Sequence, residues 1–181
     1  MGYEFEAAER AAKKHQTRDP YRLLEAFGVS IRYCYEFEPD GLKGYSTILN
    51  RAMFAVINGN LSEHDQRIVA GHEAGHLILH KAEILSSQAQ ALKDFNLYDN
   101  SGRLEYQANS FLADFLVSDE EVMAALSNDD HDFFKSAMEL YIPPPLLAFK
   151  LHSMMRRDFK VRNPIDLHGG FLGGNGVIWK E

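Results

Sequence analysis

Residues 68–79 read Ile68-Val69-Ala70-Gly71-His72-Glu73-Ala74-Gly75-His76-Leu77-Ile78-Leu79. Two histidines and a glutamate interrupt a segment that is apolar around most of its helical circumference, and a helix of that kind belongs in a protein interior. Buried without partners, each of those polar side chains is costly. Histidines four residues apart lie on one helix face, so both imidazoles reach a single Zn²⁺ from the same side. Glu73 sits about 100° round the helix from His72, close enough to meet water at such an ion without being a ligand. Gly75 keeps the face low for a substrate or a second helix. The three fixed letters of His-Glu-x-x-His are a weak signal alone, and the competing reading is a satisfied set of core hydrogen bonds. The apolar setting favours the metal, which answers for both imidazoles at once.

A catalytic zinc takes three protein ligands and keeps a fourth position open. His80 continues the series 72, 76, 80, but eight residues rise about 12 Å along a straight helix, too far for three rings to share one ion. His80 is therefore expected at the helix end, packed or supporting a ligand. Glu105 is the best third ligand. At about 100° per residue, Ala108, Leu112 and Leu116 fall on its side of a second helix, which is the inward side. Asn109, one turn on, is placed to support that carboxylate, whereas Asp114 falls about 180° away, toward solvent or another surface.

Outward from this pair of helices, the chain reads as strands first and helices after. A helix over Glu4–Lys14, with Phe5, Ala8 and Ala12 on one face, precedes one that starts at Asp19-Pro20 and stops at Gly28. Alternation from Val29 to Phe37 predicts a half-buried strand, followed by strands at Gly44–Leu49 and Ala52–Ile57 in a small antiparallel or mixed sheet. Ser62 and Asp65 have capping-box spacing at the start of the metal helix. Residues 82–100 read as a long loop, then come a helix over Gly102–Val117, a capped helix from Ser118-x-x-Glu121, and short helices to Arg157. Pro143, Pro144 and Pro145 open the last of these, and the Gly-rich tail suits a hairpin or loose strand. The expected class is α+β, one domain of residues 1–181 with a core over about 20–125, a helical extension over about 126–162 and a tail over 163–181.

The 181 residues are 45% hydrophobic, enough for a sizeable core, which excludes disorder and disulfide-scaffold classes. A net charge of −7 argues against coating nucleic acid by bulk charge. One cysteine, Cys34, rules out an internal disulfide framework or a Cys-rich zinc knuckle. The charged N-terminus is unlike a signal peptide, and the longest apolar runs fall well short of the roughly 20 residues that span a bilayer. The expectation is a cytoplasmic protein that does not engage a membrane.

Taken together, His72-Glu73-x-x-His76 and Glu105-x-x-Ala108-Asn109-x-Phe111-x-x-x-x-Leu116 resemble the ImmA/IrrE family of zinc metallopeptidases. Gly41-Leu42-Lys43-Gly44-Tyr45, the strand ending Ile57-Asn58, Arg67, and the helix at Leu146–Leu151 extend the resemblance over roughly Pro20–Leu151. It departs at Leu116-Val117-Ser118, where the family often has a proline. The resemblance implies a gluzincin-type zincin fold with the metal held by His72, His76 and Glu105. It also implies a bacterial, prophage or mobile-element protein that cleaves a helix-turn-helix transcriptional repressor and so lifts repression under stress or DNA damage.

In such a site Glu73 acts as the general base. A donor for the oxyanion is often added, and Tyr45, Tyr106, His152 and His168 are open candidates. A His₂Glu set also accepts Mn²⁺, Fe²⁺ or Co²⁺. Cys34 reads as an ordinary free thiol, with a thiolate blocking the metal as the sharper alternative. Arg156, Arg157, Lys160 and Arg162 read as a solvated helix end, the alternative being contact with a nucleic-acid activator. Two functions follow. One is a repressor-cleaving protease. The other is a zinc-bearing protein that sequesters a partner with little or no proteolysis, for which a general base at Glu73 would be superfluous.

Overall fold

The computed structural model describes residues 2–86, 92–94, 102–127 and 132–164. In chain order the elements are α1 (Tyr3–His15), α2 (Pro20–Ala26), β1 (Ser30–Cys34), β2 (Gly44–Leu49), β3 (Ala52–Asn58), α3 (Glu63–Leu79), α4 (Lys81–Ser86), β4 (Leu92–Asp94), α5 (Arg103–Leu116), α6 (Asp119–Leu126), α7 (Phe133–Glu139) and α8 (Pro144–Met155). The class is α+β, as expected. The sheet has the order β1-β3-β2-β4. It is mixed: β1 runs parallel to β3, with Ser30 opposite Phe54, while β2 is antiparallel to both β3 and β4.

Caps set the helix starts. Asp19 accepts from the Arg22 amide ahead of Pro20. Ser62 accepts from the Asp65 amide at the head of α3, and Asp65 answers by taking the Ser62 hydroxyl at 2.7 Å. Ser118 and Glu121 form a complete reciprocal capping box at α6. From Ile68 to Leu77 every residue of α3 is buried, because α2, the sheet and α5 all pack on it. α1 lies across α5, burying Ala8, Ala11 and Ala12. Arg18, just past α1, donates to the carbonyl oxygens of Asp114 at 2.9 Å and Phe115 at 3.0 Å, groups that the end of α5 leaves without helical partners.

Three expectations need correction. The strand predicted over Val29–Phe37 covers only Ser30–Cys34, and Arg32 and Tyr33 are both exposed, because β1 is an outer strand with little to bury against. The loop predicted over 82–100 contains α4, which starts at Lys81, and the short β4. Three paired residues are too few to show alternation. On α1 the buried face carries Glu4 along with the alanines. The Gly-rich tail from 165 onward, His168 included, lies outside the described residues. Among the described residues no helix is long and apolar enough to cross a membrane.

The C-terminal helix is fastened by a buried ionic cluster. Lys150 Nζ lies 3.0 Å from Asp114 Oδ1 and 2.8 Å from Asp119 Oδ1, and Ser153 donates to Asp114 at 2.7 Å. Arg157 pairs with Asp119, its second amino group donating at 2.8 Å, while its guanidinium lies 3.6 Å from the ring centroid of Phe5. Thus Arg157 leaves the predicted basic patch and turns inward. Asp114 faces a different surface from Glu105, as the helix angle requires, and that surface is interior.

Candidate metal centre

The arrangement starts from two glycines. A Cβ on Gly71 would lie 2.4 Å from Cδ1 of Leu112, and one on Gly75 would lie 3.2 Å from both Cα and the carbonyl oxygen of Ala108. Bare backbone at these positions lets α3 and α5 approach closely. That closeness brings Glu105 over the two histidines. Nε2 of His72 is 3.2 Å from Glu105 Oε2, Nε2 of His76 is 3.5 Å from Glu105 Oε1, and the two Nε2 atoms are 3.0 Å apart.

These separations can be tested against a metal. Ligand atoms about 2.0–2.1 Å from a tetrahedral zinc sit roughly 3.3–3.4 Å from one another, and the observed 3.0, 3.2 and 3.5 Å bracket that edge. Among the described residues, His72, His76 and Glu105 are brought together with one ligand atom each inside 4.8 Å. The chemistry of the donors agrees. Oδ1 of Asn109 lies 3.0 Å from Nδ1 of His72. A carbonyl oxygen only accepts, so Nδ1 carries the proton and Nε2 turns a lone pair toward Glu105. The residues fit a divalent cation.

The side-chain oxygen of Asn109, a residue the sequence places one turn from Glu105, supports the imidazole of His72. His80, at 2% exposure, lies at the end of α3 with Nδ1 3.1 Å from Nδ1 of His76 and Nε2 3.1 Å from Oε1 of Gln107. Burial and the neighbouring His76 push the His80 pKa down, so it stays neutral.

Glu73 is fully buried on the sheet side of α3. Its Oε2 takes a short hydrogen bond from Ser46 on β2, whose hydroxyl also lies 3.2 Å from the Glu73 carbonyl oxygen. Gly44, two residues before, leaves room for the carboxylate: a Cβ there would lie 3.0 Å from Glu73 Oε1 and 2.5 Å from Val69 Cγ1. The loop entering β2 is pinned by Asn58, which donates to the carbonyls of Glu38 at 2.8 Å and Leu42 at 3.0 Å. Sequence reasoning missed Ser46. The available signal was a small polar residue sharing a strand face with Gly44.

The three oxyanion candidates among the described residues, Tyr45, Tyr106 and His152, separate. Tyr45 alternates onto the face opposite Gly44 and Ser46, with its ring 6.4 Å from that of Phe37. Tyr106 and His152 pair with each other between α5 and α8, hydroxyl to Nδ1, at 2.8 Å. Cys34 lies half-buried on β1, and β3 separates that strand from the one that touches Glu73.

The peptidase M78 family, described as the IrrE N-terminal-like domain, matches residues 24–151, a span containing His72, Glu73, His76 and Glu105. A protein of Bacillus phage phi105, described as uncharacterized immunity region protein 2, is 29% identical over 114 residues, covering 62% of this chain and 67% of the phage protein.

Proposed function

The chain belongs to the IrrE N-terminal-like family of M78 peptidases, and from that premise we propose that it is a zinc-dependent endopeptidase whose substrate is a helix-turn-helix transcriptional repressor. The observation that carries the reading is the convergence of two imidazole nitrogens and one carboxylate at 3.0–3.5 Å, with a buried glutamate on the same helix. A purely structural site would need no such glutamate. The phage relative, described as an immunity region protein, supports a repressor-related partner. A DNA-bound substrate places the enzyme in the cytoplasm.

His72, His76 and Glu105 would hold the metal. Zinc, when bound there, supplies a Lewis acid that polarises the scissile carbonyl and lowers the pKa of water toward 7. Glu73 takes the proton of the attacking water and passes it to the leaving amine. Ser46 holds one oxygen of that carboxylate, which fixes its orientation. Asn109 keeps the His72 proton on Nδ1 and so keeps Nε2 available.

The test is incubation of the full chain with the helix-turn-helix regulator encoded beside it, with and without zinc, alongside Glu73→Gln. The expected result is cleavage at a discrete position, abolished by chelation and by Glu73→Gln. A regulator that stays intact in every sample but co-purifies with the chain would replace the protease reading with sequestration.

A further inference from the structure

Four side chains form an unbroken line from His76 to the N-terminal helix. His76 Nδ1 lies 3.1 Å from His80 Nδ1, His80 Nε2 lies 3.1 Å from Gln107 Oε1, and Gln107 Nε2 donates to Glu4 Oε1 at 3.0 Å. Glu4 is buried on α1, where it faces α5 instead of solvent. It precedes the stretch matched by the family, so the line ends on a segment beyond the shared domain.

The end of the line dictates its direction. An ionised carboxylate only accepts, so the Gln107 amide turns its NH₂ toward Glu4 and its carbonyl oxygen toward His80. That oxygen also only accepts, so His80 carries its proton on Nε2 and leaves Nδ1 as a lone pair. Nδ1 of His80 in turn accepts from His76, which puts the His76 proton on Nδ1 and frees Nε2, the atom facing Glu105. Reversing any one link would put a proton on His76 Nε2, where a metal would otherwise bind.

We propose that Glu4 is a positioning residue of the metal centre, setting the tautomer of His76 through Gln107 and His80, so that α1 is a working part of the metal site. The inference rests on the zinc reading above. A direct partner of a metal-bound histidine is commonly worth about 10- to 100-fold in affinity. His80 and Gln107 intervene, so Glu4 is worth less.

Zinc affinity of the full chain, measured by competition with a chromogenic chelator, tests this. Glu4→Ala is expected to weaken zinc binding about 3- to 10-fold and Gln107→Leu about 10-fold. In the double variant Glu4→Ala/Gln107→Glu, the new carboxylate accepts directly from His80 Nε2 and needs no outer anchor. It is expected to bind within about twofold of the parent chain. Unchanged affinity in Glu4→Ala overturns the inference. So does a loss that the double variant fails to recover while circular dichroism and the metal-free melting temperature match the parent chain. If Glu4→Ala does not fold, Gln107→Leu decides alone, with unchanged affinity counting against the relay. Parent-chain zinc binding that is absent, or indifferent to His76→Ala, overturns the metal reading itself.

Discussion

Asn109 reaches across from α5 to hold Nδ1 of His72 at 3.0 Å, one turn beyond the residue that offers its carboxylate to the same imidazole. One helix thus supplies both an acidic donor and the group that fixes a histidine's tautomer. Asn109→Ala is expected to weaken zinc binding about 10- to 100-fold, whereas Asn109→Asp, which keeps an acceptor in place, retains most of it. Equal chelator-competition curves for Asn109→Ala and the parent chain would contradict this.

Ser46 is expected to affect turnover more than substrate binding, because its hydroxyl bears on Glu73 alone among the proposed catalytic groups. Ser46→Ala should lower kcat about 10-fold with KM nearly unchanged, a fraction of the roughly 100- to 10,000-fold that a general base contributes. Steady-state kinetics on a cleavable peptide separate the two constants.

Gly75→Ala places a methyl group 3.2 Å from two backbone atoms of Ala108, atoms that yield only if α5 shifts. Overpacking of this kind costs about 1–3 kcal/mol. The shift also carries Glu105 away from the imidazoles, so the variant is expected to bind zinc more weakly than its lowered melting temperature alone accounts for. Parallel chelator and thermal measurements decide it.

Lys150 is fully buried between Asp114 and Asp119. Replacing it with methionine leaves buried acid without its cation and should destabilise the fold by about 3–5 kcal/mol. Urea unfolding at neutral pH reads this directly, and a loss below 1 kcal/mol would show that Arg157 alone neutralises the pair.

Acid should act through the same cluster. Burial pushes the Asp119 carboxyl up, but Arg157 and Lys150 pull it down further, to about 2. A depressed carboxylate stabilises the fold above its unfolded value, near pH 4, and that contribution is lost as pH falls toward 2. Asp114 runs the other way, because burial raises it despite Lys150 and Ser153. The stability gap between the parent chain and Asp119→Asn, measured by urea unfolding, is therefore expected to be full at pH 6 and to close between about pH 4 and pH 2.

Much of the metal centre was legible because helix geometry is rigid. Four-residue spacing puts His72 and His76 on one face, and the angular position of Glu105 among Ala108, Leu112 and Leu116 puts it on the inward side. Asn109 was placed on the correct helix, but its contact with His72 went unread. Spacing fixes which face a side chain leaves from, and the neighbouring helix decides what it meets. Gly71 and Ser46 went unread because their roles appear only when two elements close on each other. Lys150 was readable in principle. It shares a face with Leu146, Leu147 and Met154 in an apolar helix, and its partner Asp114 sits opposite Glu105 on α5. The three-residue β4 carries no pattern, and its pairing with β2 is a product of the assembled sheet.

The grip of Arg18 on the last carbonyls of α5 means that the piece of chain shared with relatives is smaller than the piece that sustains itself. A fragment trimmed to residues 24–151 would lose that guanidinium, the anchoring carboxylate of Glu4, and both Ser153 and Arg157 from around Asp114. Boundaries for recombinant expression, or for grafting this module into another protein, are better drawn from these tethers than from where homology fades.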